Sequence, residues 1–96
     1  MSKPFSFITL PVERSIHKPR QKGLTMVADF GMPLNQVQGM LELGGEYIDL
    51  GKIAVGSARL YDERLLLDKL ALYREHGVRP FIGGQFLEYV FATQGW

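Results

Sequence analysis

The sequence has 96 residues, a formal net charge of +1 and no cysteine. This length suffices for one small domain, and a hydrophobic content of 46% excludes an intrinsically disordered chain. The near-neutral charge gives no general attraction to nucleic acid or acidic membranes. The lack of cysteine excludes disulfides, a thiolate nucleophile and a cysteine zinc site.

Residues 1–23 are predicted to form an irregular basic leader, because prolines interrupt any helix there. Its basic residues are Arg14, His17, Lys18, Arg20 and Lys22. No aromatic side chains are interleaved with them, so a solvated segment is favoured over a nucleic-acid site. Arg20 precedes the first strand and therefore lies at the opposite end of that strand from Asp29. This position favours a structural role, either in closing the bottom of a barrel or in contacting a neighbouring subunit.

No apolar run reaches the roughly 18 residues of a membrane span, and no secretory signal pattern is present. The sequence therefore predicts a soluble cytoplasmic protein without a membrane or nucleic-acid partner.

Residues 24–96 are predicted to contain three units of a strand followed by a helix. The first strand, 24–29, ends at Asp29, and Asn35 is the expected N-cap of the helix after it. This helix is expected to stop at Gly44-Gly45, with glycine in the left-handed conformation. Its predicted inward residues are Val37, Met40, Leu41 and Leu43.

The second unit comprises a strand over 47–53, a loop over 56–61 and a helix from the N-cap Asp62 through His76, ended by Gly77. Its predicted buried stripe is Leu66, Leu70 and Tyr73, and an Arg64–Asp68 pair is expected on the outer face.

The third unit has a strand over 78–82, the Gly83-Gly84 turn and a helix. Pro80 within that strand is unfavourable for a central position in a sheet. The helix is expected to bury Phe86, Leu87, Val90 and Phe91.

This order of elements predicts an α/β fold with a parallel sheet. A closed (β/α)₈ barrel needs about 250 residues, so we expect either part of a TIM-type barrel or a small open sheet. Open strand edges and an uncovered sheet face further predict a homo-oligomer.

Polar or glycine residues follow each strand, at the edge where parallel-barrel enzymes place their chemistry. Asp29, Lys52 and the Gly83-Gly84 turn are therefore predicted on one rim. Amides at a helix start can bind phosphate, although a double glycine is more often only a tight turn. Asp29 could alternatively accept backbone N–H groups, and Lys52 could be a surface lysine.

Four segments in register resemble the phosphosulfolactate synthase family over about residues 14–94. They are Lys18-Pro19-Arg20, 23–27, 45–50 with Lys52, and Gly83-Gly84 followed by Glu88. The resemblance corresponds to about the first third of a family member. It implies a TIM-type barrel lyase that adds sulfite to phosphoenolpyruvate with Mg²⁺, as in coenzyme M biosynthesis.

In that scheme Asp29 and Glu88 serve as Mg²⁺ ligands, Lys52 stabilises the enolate or phosphate, and Gly83 with Gly84 binds phosphate. Asp49 is left out of the site because it neighbours Leu50 with the opposite facing.

The chain departs from the family pattern at the rim. Phe30 stands where the family has lysine, and Gln85 where it favours threonine. The turn Val55-Gly56-Ser57-Ala58 replaces a Trp-Gly-Thr-Ser-like turn. The resemblance also extends to plant stress-associated proteins. Two alternatives therefore stay open: a non-catalytic barrel that binds other proteins, and an enzyme for another phosphorylated three-carbon acid.

Overall fold

A computed structural model of the chain describes residues 4–9, 17–54 and 56–94. Within them, three strands alternate with three α-helices: β1 (Met26–Asp29), α1 (Leu34–Gly44), β2 (Leu50–Ile53), α2 (Glu63–Glu75), β3 (Arg79–Ile82) and α3 (Gly84–Gln94). The strands are parallel and ordered β1-β2-β3. The predicted α/β class, parallel sheet and chain order of elements are confirmed.

The start of α1 differs from the prediction. Its N-cap is Pro33, not Asn35, and the Pro33 carbonyl accepts the amides of Gln36 and Val37. Proline suits this position because its φ of −61° is compatible with the start of a helix. Proline also has no backbone N–H that would need an acceptor there.

The end of α1 also differs. Gly44 and Gly45 have negative φ, and the chain continues into a short 3-10 turn over Gly45–Tyr47. Val37 and Leu41 are buried as predicted, whereas Leu43 is 86% exposed. Two residues on from Leu41 is about 200° around the helix, so Leu43 faces away from the core.

Helix α2 follows the prediction closely. The Asp62 carboxylate caps it by accepting the Leu65 amide at 2.8 Å. At its end Gly77 has φ +72°, and the amides of Gly77 and Val78 donate to the carbonyls of Arg74 and Tyr73. This is a Schellman ending, which requires the left-handed conformation that glycine adopts without strain.

Strand β3 accommodates Pro80 because it is an edge strand of the sheet that the described residues form. The amides of Arg79 and Gly83 donate towards β2, so by alternation the Pro80 nitrogen faces the free edge, where no N–H is needed.

Helix α3 forms, but its predicted inward residues Leu87 and Phe91 are exposed. The predicted burial of these two residues is therefore wrong, whereas Val90 is half-buried. The Phe86 side chain and Val55 lie outside the described residues.

Within the described residues, the sheet has one face against α2 and one open face. Gly51 faces α2, where a Cβ would lie 3.1 Å from the Tyr73 ring. The main core lies on that side and comprises Val37, Leu41, Ile48, Ile53, Ala58, Tyr73 and Val78. The open face is defined by the alternate positions, which are Met26, Ala28, Leu50, Lys52, Arg79 and Phe81.

Part of the leader is not solvated, contrary to the sequence-based expectation. Arg20 is buried and Lys18 half-buried, and both are bonded to residues around the start of β2. None of the helices in the described ranges is long and apolar enough to cross a membrane.

Candidate functional site

The carboxyl ends of the three strands meet at one edge of the sheet. Asp29 pairs in register with Ile53, and Ile53 with Ile82. Lys52 directly precedes Ile53, the last residue of β2. Gly83 directly follows Ile82, the last residue of β3. The structure therefore brings Asp29, Lys52 and the Gly83-Gly84 turn to the same end, as the sequence predicts.

Asp29 is completely buried, and its carboxylate accepts from four donors. Oδ1 accepts the amides of Gly31 at 2.9 Å and Met32 at 2.8 Å. Oδ2 accepts the Tyr73 hydroxyl at 2.8 Å and lies 2.8 Å from Lys69 Nζ. These contacts occupy the acceptor sites of both oxygens and fix the loop that follows β1.

The electrostatics of this network favour an ionised carboxylate. Burial alone would raise the pKa of Asp29, but Lys69, the Met32 and Gly31 amides and the Tyr73 hydroxyl together hold it below its usual value. Burial, followed by the hydrogen bond to Asp29 and then by the charge of that carboxylate, raises the pKa of Tyr73. Tyr73 therefore remains a neutral hydrogen-bond donor.

The predicted Mg²⁺ ligands do not form a metal site within the described residues. Asp29 presents its oxygens to N–H and O–H donors and to an ammonium, which leaves no acceptor position for a cation. Glu88 is exposed on α3. No cluster of three metal-ligating side chains occurs in the part of the chain that the structure describes.

Lys52 and Gly83 are in close contact. A Cβ on Gly83 would lie 3.0 Å from Lys52 Cε and 3.3 Å from the Ile53 carbonyl oxygen, so glycine lets the lysine side chain pass over the turn. The Gly83 amide is engaged, because it donates to the Ile53 carbonyl at 2.9 Å. Gly84 is exposed and begins α3, where first-turn amides lack intrahelical partners.

Asp29 and Lys52 lie on opposite faces of the sheet. Asp29 contacts Tyr73 and Lys69 of α2, whereas Lys52 alternates with Gly51, which faces that helix. The shared rim is therefore divided into an α2 side, with an enclosed ionic network, and an open side with Lys52 and the Gly83-Gly84 turn.

Sequence reasoning missed Lys69, which is 1% exposed. Its ammonium lies 2.5 Å from the Tyr61 hydroxyl and 4.5 Å from the centre of that ring, as well as beside Asp29. The signal was present in the sequence. Lys69 lies three residues after Leu66 and four before Tyr73, which places it within the predicted buried stripe.

Ser57 is a second residue that sequence reasoning did not single out. It lies in the turn after β2, which begins with Gly56 at φ +75°. Its side chain is buried, and its hydroxyl has no hydrogen-bond partner among the described residues. A buried hydroxyl without a hydrogen-bond partner costs free energy, so this position is unfavourable within the described residues.

The opposite end of the sheet holds a separate ionic cluster. Arg20 Nη1 lies 2.5 Å from Asp49 Oδ1, and Arg20 also donates to the Glu46 carbonyl. Asp49 Oδ2 accepts the Thr25 amide at 2.8 Å. Burial alone would raise the pKa of Asp49, but the Thr25 amide and Arg20 hold it below its usual value. Arg20 thus has a structural role here.

Lys18 connects the ends of several structural elements next to that pair. Its ammonium donates to the carbonyls of Gly45 at 2.6 Å, His76 at 3.1 Å and Gly77 at 3.3 Å, and also to that of Ile48. Burial lowers the pKa of Lys18, the nearby Asp49 charge opposes this, and Arg20 lowers it further. The lysine neutralises the carbonyl-rich end of α2.

Comparison with known proteins gives a consistent family. Residues 13–96 match the (2R)-phospho-3-sulfolactate synthase (ComA) family. The chain is 36% identical over 84 residues to the phosphosulfolactate synthase of Methanothermobacter thermautotrophicus, covering 88% of this chain. It is 31% identical over 77 residues to that of Methanocaldococcus jannaschii, covering 80% of this chain, and 31% identical over 81 residues to that of Bacillus subtilis, covering 84%.

The aligned part is 31% of the length of each of these three relatives. Across that part, the motifs 18–20, 45–52 and 83–88 occupy the two ends of one parallel sheet, so they belong to a single folded unit. The chain is a member of the phosphosulfolactate synthase family.

Proposed function

We propose that this chain forms part of the site of a lyase that adds sulfite to phosphoenolpyruvate, giving phosphosulfolactate. Family membership and three relatives named phosphosulfolactate synthase support this proposal. The parallel three-stranded sheet agrees with part of a TIM-type barrel, in which the carboxyl ends of the strands form the active rim.

The observation that carries the proposal is the position of Lys52. Its side chain lies on the open face at the carboxyl end of β2 and passes within 3.0 Å of the Cβ position of Gly83. Sulfite addition places negative charge on the enolate that forms from phosphoenolpyruvate. An ammonium held at that place would stabilise the charge, or the substrate phosphate, in the transition state.

The start of α3 is the proposed phosphate site. Because the Gly83 amide donates to Ile53, the phosphate would meet Gly84 and the amides after it in the first turn. Gly83 contributes by leaving room for Lys52 beside the turn.

Mg²⁺ remains a prediction from the family resemblance. The described residues, Asp29 and Glu88 included, do not fit a metal site, so no step of the proposed mechanism passes through a metal. The homo-oligomeric state, cytoplasmic location and use in coenzyme M biosynthesis likewise remain predictions.

The alternative is a barrel protein that binds another protein without catalysis. Phe30 supports it, because this side chain is 68% exposed at the rim directly after Asp29. An exposed aromatic ring favours protein contact and supplies no charge to a phosphorylated substrate. A related enzyme for another phosphorylated three-carbon acid would use the same Lys52 and α3 start.

The test is turnover of phosphoenolpyruvate with sulfite, followed by phosphorus NMR, in the unmodified protein and in Lys52→Met. We expect Lys52→Met to lower kcat/KM by about 10²–10³. The exposed Lys22→Met variant is the matched control and should retain activity. Unchanged kcat/KM in Lys52→Met would remove Lys52 from the mechanism. If the unmodified protein shows neither turnover nor affinity for phosphoenolpyruvate, the protein-binding alternative replaces the enzyme.

A further inference from the structure

A cavity of about 580 Å³ opens at the amino-terminal end of the sheet, away from Lys52. We call it the basal cavity. Its lining comes from the leader, the starts of β2 and β3 and the end of α2, and comprises Lys18, Pro19, Arg20, Leu24, Asp49, Leu50, Arg74, Gly77, Val78, Arg79 and Pro80. Residues from four separate parts of the chain thus converge on one space.

The basal cavity concentrates positive charge. Its lining includes four basic side chains and one carboxylate, although the whole chain has a formal charge of only +1. The carboxylate, Asp49, is already paired with Arg20 at 2.5 Å. The remaining positive charge is not neutralised by acidic residues in the lining, and it would attract an anion.

Arg74 and Arg79 supply the guanidinium groups with capacity for a ligand. Both residues are exposed, Arg74 in the last turn of α2 and Arg79 at the start of β3. In the described ranges, neither forms an ion pair with a carboxylate. A guanidinium offers donors in a planar fork that matches phosphate oxygens, so two of them on one cavity form a suitable phosphate site.

Lys18 removes the main electrostatic obstacle to an anion at this place. The carboxyl end of a helix carries partial negative charge, and the carbonyls of His76 and Gly77 end α2 beside the cavity. The Lys18 ammonium donates to both carbonyls and to that of Gly45. An anion in the basal cavity would therefore meet Arg74 and Arg79 rather than unpaired carbonyl oxygens.

We propose that the basal cavity binds a small phosphate monoester, at a site distinct from the rim site of Lys52. Its volume falls in the range of small-molecule pockets, about 300–1,000 Å³, and exceeds what a phosphate ion alone requires. Leu24, Val78 and Pro80 supply an apolar wall for the carbon part of such a ligand. Arg74 and Arg79 bind its phosphate.

The test is calorimetric titration of the protein with glycerol 3-phosphate as the probe. Variants are Arg74→Met, Arg79→Met and their combination. We expect each single change to weaken binding about tenfold, since a charge-assisted hydrogen bond is lost, and the double change to abolish the binding that Lys52→Met leaves intact. Arg64→Met is the matched control, because Arg64 is an exposed arginine on the same helix outside the cavity, and it should bind as the unmodified protein does.

The Lys52→Met variant distinguishes binding at the basal cavity from binding at the rim. It should leave the binding that depends on Arg74 and Arg79 intact, whether or not the protein turns over phosphoenolpyruvate. Absence of glycerol 3-phosphate binding in the unmodified protein would overturn the proposal. So would unchanged affinity in the double variant with thermal stability preserved, or loss of all binding in Lys52→Met alone.

Discussion

The two ends of the sheet each contain a buried aspartate neutralised by a basic side chain, but the partners come from different parts of the chain. At the carboxyl end, Asp29 is held by Lys69 and Tyr73 of α2 and by two amides of its own loop. At the amino end, Asp49 is held by Arg20 of the leader and the Thr25 amide. The first network lies within the strand–helix units, whereas the second ties the leader to them.

This difference separates two roles for buried charge. The Asp29 network fixes the rim loop, whereas Lys52 lies half-buried on the other face, outside that network. The Asp49 cluster anchors the segment 18–20, which also lines the basal cavity. A buried ion pair costs desolvation whatever its location, so its net value depends on the hydrogen bonds around it. Asp29 has four such contacts, and we expect its network to be the more sensitive to substitution.

The largest expected effect comes from Lys69→Met. This change leaves Asp29 ionised and buried without its ammonium partner, which typically costs about 3–5 kcal/mol of unfolding free energy. Urea denaturation at pH 7 would measure it. The double variant Asp29→Asn/Lys69→Met should recover part of the loss, because the uncompensated charge is gone. A loss below about 1 kcal/mol in Lys69→Met would show that Asp29 does not depend on that partner.

A smaller effect is expected from acid. The pKa of both Asp29 and Asp49 is lowered in the folded protein, so the unfolded chain binds more protons. Their contribution to stability is complete above the unfolded value of about 3.9 and falls as pH drops through the folded values. Unfolding free energy should thus decrease below about pH 4, by up to about 1.4 kcal/mol per pH unit for each proton taken up.

The variants Asp29→Asn and Asp49→Asn show how much of the pH dependence of the unfolding free energy comes from each end of the sheet. We expect Asp29→Asn to remove more of it, because Asp29 accepts from more donors, as urea denaturation between pH 2.5 and 6 would show. Equal slopes in both variants and in the unmodified protein would mean that neither carboxylate controls acid unfolding.

Local sequence signals predicted most of the fold. Asp62 and Gly77 bound α2 as expected, because capping by a carboxylate and by a left-handed glycine depends on neighbouring residues alone. The errors at the two ends of α1 are local errors of capping, whereas the error at α3 involves long-range packing. The exposure of Leu87 and Phe91 depends on what lies over α3, which a local apolar pattern does not specify.

The candidate site was predictable in position but not in facing. The position at the strand ends placed Asp29 and Lys52 at one rim. That the two side chains lie on opposite faces of the sheet is shown only by the contacts with α2. Lys69 was missed because a lysine inside an apolar stripe is ordinarily excluded from a core. Its burial is made tolerable by the ion pair with Asp29, which lies 40 positions away along the chain, and by the contact with Tyr61.

The smallest expected effect comes from the ion pair on the surface of α2, which tests whether burial distinguishes the two ends from an ordinary contact. Arg64 Nε lies 3.3 Å from Asp68 Oδ1 with side chains 85% and 45% exposed. Water and salt screen such a pair, so Arg64→Met should change the unfolding free energy by only about 0.3–0.5 kcal/mol, and less in 0.5 M salt. The measurement is the same urea series as for Lys69→Met. A loss comparable to that of Lys69→Met would show that ion pairing itself, rather than enclosure of the charges, stabilises this protein.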